Sequence, residues 1–529
     1  MSLTEKDWKK ILVILPAIFA LLLALIPTIK YQWPLGWDII YHVQYAKIYA
    51  HYGFTLTDPL LNAPGGHRIG YPPLFHFLIA GLGTLLGINF FQVARILQPI
   101  LAMLIVFSVS YVAYKYFGKI TGISAGFLMI SSALFSRMFL PIPENLALIF
   151  LPITVFLYDR SLQNRKLETA ILAGILFIIV ISTHTAASLS LFLIIIAITI
   201  FEVFYSRDLR VLKNFAGFLL ALILMIVAVL IIIQIWAPNL LQNIFQQGLS
   251  ASTGISTSLD KTRSLGIFSY LKNLGYLVLI FSVIGIIIAL RKRNRKNIVI
   301  LVWILVMFLL SNAYWFGVNV ITYRVLIYLL IPLSIIGGFG LSYIYHNLNS
   351  YGPFSSKQLG VVILVVVFAL SILNGFITVE NPKIANFGVK NEFGLVQIAP
   401  PSQSEVDLAV WFQENGNKNK SFITNNMFTG TFIATMAEMP MHYSSKYYLI
   451  SNGANKTLFN KERIGYIVYD KRLVLPGRNK GLYVEMINSE FYPLFYFSAN
   501  INENINSIKP PFSEIVYENK DYIVCKIIN

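Results

Sequence analysis

The stretch ILVILPAIFALLLALIPTI, residues 11–29, contains no charged side chain. An α-helix of about 20 apolar residues is long enough to cross the hydrocarbon core of a bilayer. The run is too long for a removable signal peptide, and no small-residue cleavage site follows it. It therefore predicts a retained membrane anchor, and it places the rest of the chain in or beside a membrane.

The composition extends this prediction to the whole chain. Of 529 residues, 56% are hydrophobic and only 12% are charged, against about 25% charged residues in soluble proteins. The single cysteine, Cys525, excludes a disulfide framework and any zinc or iron–sulfur site built from cysteines. We expect that cysteine to be a buried apolar residue.

The net charge of +17 is unevenly distributed. Residues 1–379 contain 26 Lys and Arg against 10 Asp and Glu, whereas residues 380–529 contain 15 against 14. The excess therefore belongs to the membrane part, where it indicates topology and contact with anionic lipid headgroups. No basic stripe interleaved with aromatic residues appears, so the sequence does not predict a nucleic-acid partner.

Eleven segments are predicted to span the membrane. They are residues 11–29, 96–114, 119–136, 144–158, 167–183, 186–204, 213–236, 271–290, 297–311, 324–345 and 359–377. A twelfth apolar stretch, 73–88, is short and rich in glycine. If it lies on the outer surface, the loop RKRNRK at 291–296 and the other short basic loops are all cytoplasmic, as the positive-inside rule requires. This topology places the N-terminus in the cytoplasm and residues 380–529 outside.

The C-terminal part has an ordinary soluble composition. Its patterns predict helices at 404–415, with Ser404 as N-cap, and at 429–438. Strands are predicted at 421–425, in IGYIVYD and LYVEMI, and in a final hairpin EIVYE-NKD-YIVCKII. The predicted fold is thus an α-helical polytopic membrane protein, with surface helices in the first exterior loop. Residues 1–379 form its membrane domain, and 380–529 form an exterior α/β domain.

Four acidic residues of the membrane part fall outside the cytoplasm in this topology: Asp38, Asp58, Glu144 and Asp260. Asp38 and His42 are four residues apart and would share one face of a helix over 38–52. That pair suits a metal ion or a substrate hydroxyl. The alternative is an N-cap aspartate beside an ordinary interfacial histidine.

Three further residues are candidates at the outer ends of predicted spans. Glu144 follows Pro143 in the first turn of its helix and is a second acidic candidate, or a residue that stabilises the helix end. His184 could face the same cavity or be a structural residue. Arg324 suits recognition of a phosphate, or else it extends towards the membrane surface beside Tyr323.

The first exterior loop adds His67, Arg68 and Tyr71 within GGHRIGYPPL. We expect these side chains to contact the substrate, with an ordinary solvated loop as the alternative. Asp260 is a weaker candidate in a polar loop. Soluble-enzyme motifs such as the P-loop, GxGxxG, HExxH and GxSxG are absent from the sequence, which argues against ATP- or NAD-driven chemistry.

Several of these features together resemble a known group of enzymes. Trp37-Asp38 after the first span, His42, the stretch YPPLFHFL, Glu144, and a soluble domain with AVWFQEN and ITNNMFTGTFIA resemble the GT-C membrane glycosyltransferases. The resemblance implies a transferase that takes a sugar from a polyprenyl-phosphate donor on the non-cytoplasmic face. The acceptor would be a lipid-linked glycan or a protein, and membrane lipids would surround the site.

The resemblance also implies roles for individual residues. Asp38 and Glu144 match the catalytic acids, and a divalent cation, Mg²⁺ or Mn²⁺, would be held by Asp38, His42 and Glu144. From their own chemistry and position, His42, His67, Arg68, Tyr71, His184 and Arg324 are predicted to bind the substrate. The Trp-Trp-Asp signature of oligosaccharyltransferases is absent, and Asn425-Asn426-Met427 stands in its place. Transfer of a single sugar is therefore favoured over transfer of a whole oligosaccharide.

Two other classes of function stay open from the sequence. One is a glycan- or lipid-binding membrane protein without catalysis, which would tolerate loss of Asp38. The other is a transporter or flippase of lipid-linked sugars. Transport is less favoured, because eleven spans do not divide into matched halves and the candidate charges lie at one face of the membrane.

Overall fold

A computed structural model describes most of the chain and shows a largely helical protein with a small C-terminal sheet. The described residues are 12–236, 266–318, 322–348, 355–381, 396, 399–442, 450–451, 453–475, 483–486, 494–498 and 500–528. Asp260 lies outside them. By its internal contacts the chain divides into two compact units. Unit 1 comprises residues 1–29, 72–74 and 97–385, and unit 2 comprises 30–71, 75–96 and 386–529. The domain boundary at 379/380 stays a prediction.

Each predicted apolar segment of the first 380 residues falls on one or two helices. In chain order they are α1 (Leu15–Lys30), α2 (Asp38–Tyr52), α3 (Leu74–Leu86), α4 (Phe90–Phe117), α5 (Lys119–Ser131), α6 (Phe135–Met138), α7 (Pro143–Asn164), α8 (Leu167–Ile181), α9 (Thr185–Ser206), α10 (Val211–Trp236), α11 (Ile267–Leu274), α12 (Tyr276–Lys292), α13 (Arg295–Ser311), α14 (Thr322–Asn347) and α15 (Ser356–Glu380). Short 3₁₀ turns at Leu12–Ile14 and Ala313–Phe316 accompany α1 and α13.

Within the described residues, seven helices are long and apolar enough to cross a membrane. They are α1 with its 3₁₀ turn, α4, α7, α9, α10, α14 and α15. The other four predicted spans have shorter or broken helices: α5 stops at Ser131, α8 has 15 residues, α13 has 17, and α11 meets α12 at an angle of 106°. The crossing of these four, and the surface position of α3, stay predictions.

Helix α14 is the central helix of unit 1. Nearly all of its membrane segment is buried, and it packs against α5, α12 and α13. Glycines permit the close approach, since a Cβ at Gly285 would lie 2.0 Å from the Ile336 carbonyl oxygen and one at Gly338 would lie 2.6 Å from the Thr121 carbonyl oxygen. Small residues at helix contacts are typical of membrane proteins. This packing holds α14 closely against its neighbours.

A buried ionic cluster joins four helices of unit 1. Arg295 donates hydrogen bonds to Asp159 at 2.6 Å and to Glu202 at 2.8 Å, and the Tyr116 hydroxyl donates to Asp159 at 3.0 Å. These residues come from α13, α7, α9 and α4. Charges that leave water must be paired, so the cluster ties the four helix ends together.

Unit 2 contains the C-terminal fold. Its further helices are α16 (Gln403–Asn415), α17 (Met427–Ala437), α18 (Lys456–Lys461) and α19 (Ile501–Ile508). Its strands are β1 (Thr57–Asp58), β2 (His67–Arg68), β3 (Ser421–Thr424), β4 (Ile464–Asp470), β5 (Tyr483–Met486), β6 (Phe495–Phe497), β7 (Ser513–Glu518) and β8 (Tyr522–Ile527). The main sheet has the order β3-β4-β8-β7, in which only β3 and β4 are parallel.

The predicted elements of this domain are confirmed, with one correction at a helix end. Strand β4 is buried along its whole length and forms the middle of the core, and Cys525 is buried beside it. Helix α16 is capped by Ser402, not by the predicted Ser404. Ser402 accepts from the Glu405 amide while Glu405 accepts from the Ser402 amide, which satisfies two backbone donors at once.

Candidate active site

Helix α2 presents four side chains to a cavity in unit 2. Asp38, Tyr41, His42 and Tyr45 are spaced three and four residues apart, so they lie along one face of the helix. Asp38 is the first residue of the helix and Trp37 occupies the N-cap position. Asp38 is therefore not the N-cap, which was the alternative role. Asp38 instead lines the cavity.

The cavity has a volume of about 320 Å³ and brings together five of the predicted site residues. Its lining residues are Asp38, Tyr41, His42, Tyr45, Leu61, His67, Arg68, Gly70, Tyr71 and Met427. Carboxylate, imidazole, guanidinium and phenol groups thus surround one space. A volume of this size is at the lower end of the range for small-molecule sites.

A short hairpin carries His67 and Arg68 to the cavity. Strand β2 pairs antiparallel with β1, with Asp58 opposite His67. Gly66 precedes β2 with φ of +80°, and a Cβ there would lie 2.6 Å from the Thr57 side chain, so the turn requires glycine. Arg68 is exposed and His67 is partly buried, and burial lowers the pKa of His67.

The buried Asp58 carboxylate anchors the loop next to that hairpin. It accepts from the amides of Leu60 at 2.8 Å and Leu61 at 3.3 Å, and from the Gln44 side chain at 3.2 Å. Burial nevertheless raises the pKa of Asp58, because desolvation outweighs these hydrogen bonds. The contacts of Asp58 are those of a structural residue.

A histidine that the sequence analysis did not select lies directly behind His42. His42 Nδ1 and His76 Nε2 are 3.0 Å apart. The His76 ring is fully buried, with its centroid 5.4 Å from the Tyr45 ring and 5.9 Å from the Tyr49 ring. Desolvation lowers the pKa of His76 to about 3, so the ring is neutral. The signal available was the stretch YPPLFHFL, in which His76 is the polar residue of an apolar helix.

The C-terminal elements of unit 2 hold α2 in place and complete the cavity with Met427. The Trp37 and Phe428 rings meet edge to face at 5.1 Å, and Thr431 donates to the Tyr41 hydroxyl at 3.0 Å. Asn426 caps α17 by accepting from the amides of Phe428 and Thr429. A hydrogen bond of 2.7 Å from Asn426 to the buried Asp470 fixes that cap in turn.

A second polar cluster, in unit 1, forms around Glu144. Arg137 Nε and a terminal nitrogen contact Glu144 Oε2 at 2.9 and 2.5 Å, and the Tyr328 hydroxyl donates to Glu144 Oε1 at 2.7 Å. Both carboxylate oxygens are thus engaged, and the side chain is 2% exposed. Glu144 does not cap its helix, since Ile142 occupies the N-cap position. Arg137 and Tyr328 were not predicted from the sequence.

The predicted residues His184 and Arg324 belong to the same cluster. His184 is the N-cap of α9, and its Nδ1 accepts from the Ala187 amide at 3.2 Å, which is the structural role considered as the alternative. The same ring lies 3.4 Å from the Tyr328 hydroxyl. Arg324 interacts electrostatically with both His184 and Tyr328. The eight predicted residues therefore form two groups: five at the cavity and three around Glu144.

The predicted metal ligands were tested against these contacts. Among the described residues, no group of three His, Cys, Asp or Glu side chains could hold a metal ion. Glu144 does not fit as a ligand, because Arg137 and Tyr328 engage its two oxygens. Asp38 fits better: Mg²⁺ usually binds one or two carboxylates together with substrate phosphates and water, and Asp38 lines an open cavity.

Comparisons with known proteins place this architecture. The sequence matches no protein-family profile and no curated protein. Among solved structures, ArnT from Cupriavidus metallidurans bound to undecaprenyl phosphate is similar, with a TM-score of 0.61 and 12% identity over 99% of this chain and 98% of that chain. The protein has the GT-C fold.

Two other solved structures support the same fold. The oligosaccharyltransferase of Archaeoglobus fulgidus, tethered to an acceptor peptide, has a TM-score of 0.60 and 13% identity over 89% of this chain and 70% of that chain. The arabinofuranosyltransferase AftD from Mycobacteria has a TM-score of 0.58 and 11% identity over 100% and 42%. The archaeal enzyme has also been solved with dolichol phosphate and with zinc and sulfate.

These similarities confirm the predicted resemblance at the level of the fold, together with the predicted architecture. The chain is a multi-pass membrane protein of the GT-C fold. All three similar proteins are glycosyltransferases, and at these identities the likeness shows a shared fold.

Proposed function

We propose that the protein transfers a single sugar from a polyprenyl-phosphate donor to a hydroxyl group of a lipid-linked glycan or a protein. The observation that carries the proposal is the cavity at α2, where Asp38 shares a space of about 320 Å³ with Arg68, His42 and Tyr71. An acid beside basic and aromatic side chains suits a reaction that deprotonates one substrate oxygen and releases a phosphate from another.

The fold supports the choice of donor. One similar enzyme was solved with undecaprenyl phosphate and another with dolichol phosphate and a peptide. A carrier with a long apolar tail stays in the bilayer, so its sugar can only react where a site lies at the membrane. A chain with seven or more apolar helices and a polar cavity meets that requirement.

In the proposed reaction, Asp38 is the general base. Its carboxylate takes the proton of the acceptor hydroxyl while that oxygen bonds to the anomeric carbon of the donor sugar. The bond between the anomeric carbon and the phosphate oxygen breaks, and both electrons leave with the polyprenyl phosphate. Because the donor already carries a good leaving group, the enzyme needs only to position the reactants and to stabilise the departing charge.

The remaining predicted residues bind the two substrates. Arg68 neutralises the phosphate in the cavity, where its planar guanidinium can donate two parallel hydrogen bonds. His67 and Tyr71 contact the sugar or the acceptor beside it. Arg324 and His184 belong to the separate cluster around Glu144, and substrate binding by these two residues stays a prediction.

For Glu144 the contacts favour a positioning role. A carboxylate held by Arg137 and hydrogen-bonded by Tyr328 is a weak base, because its charge is already compensated. We propose that Glu144 keeps Arg137 and Tyr328 in fixed orientations. The competing role is direct participation of Glu144 as the second catalytic acid. The positioning role predicts that a Tyr328 variant reacts more slowly.

A divalent cation is proposed with fewer protein ligands than the three that the sequence analysis predicted. Asp38, water and the donor phosphate would hold Mg²⁺ or Mn²⁺, which would supply positive charge beside the leaving phosphate. The reaction side is proposed to be non-cytoplasmic. The basic loops between the predicted spans support this orientation, since they carry the positive charge that marks the cytoplasmic face.

The proposal is tested with the full protein in liposomes. A panel of polyprenyl-phosphate sugars is added with membranes that supply acceptors, from cells lacking the gene, and released polyprenyl phosphate is measured by mass spectrometry. One donor should be consumed, and Asp38→Asn should lower its rate by about 10²–10⁴-fold. Asp407→Asn removes the same charge from the exposed face of α16 and should react at the wild-type rate. Consumption that is unaffected by Asp38→Asn would overturn the catalytic assignment.

A further inference from the structure

The contact between His42 and His76 determines which nitrogen of His42 carries its proton. A neutral imidazole has one N–H donor and one bare nitrogen. Across 3.0 Å between His42 Nδ1 and His76 Nε2, one nitrogen must donate and the other must accept. Two arrangements are possible, and they leave opposite tautomers on His42.

The far side of the His76 ring distinguishes the two arrangements. Among the described residues, no group lies within hydrogen-bond distance of His76 Nδ1, and that atom is shielded from solvent. The ring is instead surrounded by the aromatic side chains of Tyr45, Tyr49 and Phe75. A proton on Nδ1 would therefore be a buried N–H without an acceptor, which is rare in folded proteins, whereas an unpaired acceptor is less rare. The proton of His76 belongs on Nε2.

We infer that His76 is a positioning residue that donates its Nε2 proton to His42 Nδ1 and so holds His42 in the tautomer protonated at Nε2. His42 then acts as a hydrogen-bond donor to a substrate oxygen in the cavity. It cannot serve as the base, because its one bare nitrogen is occupied by His76. That this oxygen belongs to the departing phosphate rests on the proposed function.

The same tautomer excludes His42 from the predicted metal site. Metal-bound imidazole coordinates through a bare nitrogen. In His42 one nitrogen accepts from His76 and the other carries the proton. The chemistry at the cavity is thereby divided: Asp38 accepts a proton and His42 donates a hydrogen bond.

The tautomer can be measured without any substrate. The full protein is labelled with ¹⁵N-histidine in lipid, and the His42 resonances are identified by their loss in His42→Gln. For His42 we expect an unprotonated Nδ1 and a protonated Nε2. For His76 we likewise expect the proton on Nε2. A His42 ring protonated at Nδ1 would overturn the inference, whatever the protein catalyses.

Variants of His76 test the consequence. His76→Phe keeps a ring but removes the donor, and we expect about a tenfold fall in kcat with little change in KM for the lipid donor. His76→Gln, whose amide can donate to His42 Nδ1, should recover most of the rate. His51→Phe changes an exposed histidine on α2, the helix that carries His42, and is the control. Melting temperatures identify any variant that is simply unfolded.

The outcomes separate this inference from the proposed function. Loss of the reaction in Asp38→Asn together with a wild-type rate in His76→Phe would overturn the inference alone. The expected tautomer, in a protein that consumes no lipid-linked sugar, would overturn the proposed function alone. Recovery by Gln but not by Phe supports the hydrogen bond over packing as the role of His76.

Discussion

The Tyr328 hydroxyl donates a 2.7 Å hydrogen bond to Glu144 Oε1, and the two residues are 184 positions apart in the chain. Tyr328 lies on α14, the central helix of unit 1, and is fully buried. Glu144 lies in the first turn of α7. The bond joins two transmembrane helices at the one acid of this cluster, and Arg137 compensates the charge of that acid from the other side.

Tyr328→Phe should destabilise the protein and lower transfer. Loss of a hydrogen bond to a charged group lowers the free energy of unfolding by about 1.5–3 kcal/mol. Tyr116→Phe is the matched control, since it removes a tyrosine hydrogen bond to the buried Asp159 at 3.0 Å. Both variants should melt at lower temperature in detergent, but only Tyr328→Phe should react more slowly at a temperature where both are folded. Equal rates would mean that Tyr328 is purely structural.

Arg137→Met should be more damaging than removal of both charges. It leaves the carboxylate of Glu144 buried without its cation, which typically lowers stability by about 3–5 kcal/mol. The double variant Arg137→Met with Glu144→Gln removes the stranded charge and should recover part of that loss. Thermal unfolding of the two variants is compared in one detergent. A double variant less stable than Arg137→Met would contradict the ion pair as the main interaction.

Replacement of Asp58 tests whether this buried acid has a structural role and takes no part in the reaction. Burial raises the folded-state pKa of Asp58, so the folded protein binds its proton more tightly than the unfolded chain does. The resulting contribution favours folding at low pH and is lost as pH rises from the ordinary aspartate value, about 4, through the raised value. Asp58→Asn should therefore melt at least as high as wild type at pH 7 and show less pH dependence above pH 4. A strong loss of stability at pH 7 would show that the charged form is needed.

The same variant separates structure from catalysis among the exterior acids. Asp58→Asn should transfer sugar at a rate close to wild type, because Asp58 holds backbone amides of its own loop. Asp38→Asn should lower transfer by about 10²–10⁴-fold in protein that is still folded. If Asp58→Asn alone abolished transfer in folded protein, the assignment of the base would move from Asp38 to Asp58.

Metal binding should depend on the donor. Because the described residues contain no three-ligand group, Mn²⁺ should bind weakly to the protein alone and more tightly once polyprenyl phosphate is present. Electron paramagnetic resonance of free Mn²⁺ measures both states. Asp38→Asn should abolish the gain, and Glu144→Gln should leave it. Tight Mn²⁺ binding without any lipid would contradict this division.

The sequence was sufficient for features that depend on neighbouring residues. Helix α2 begins at Asp38 and ends at Tyr52 as predicted, because its pattern and its bounding glycines are local. Local hydrophobic patterns likewise predicted the apolar segments, the buried strand β4 and the final hairpin. The N-cap of α16 was misplaced by two residues, because the reciprocal pair of Ser402 and Glu405 was not recognised.

Features that depend on distant contacts were missed for a physical reason. Tyr328 is one aromatic residue in a long apolar span, and nothing in its surroundings in the chain shows that it reaches Glu144. His76 sits in an apolar helix and acquires a role only where it meets His42. Arg137 directly follows the predicted span 119–136, and nothing in the neighbouring sequence shows that it reaches Glu144. Periodicity predicts which face of a helix is polar, but not which helix it will face.

The most direct test of the central claim is mass spectrometry of the lipid-linked and protein-linked glycans of cells that lack this protein. The cells are then complemented with wild type, with Asp38→Asn, or with Asp407→Asn as the control. We predict glycans shortened by one sugar in the deletion, restored by wild type and by Asp407→Asn but not by Asp38→Asn. Glycans restored in full by Asp38→Asn would contradict the claim that this carboxylate drives sugar transfer.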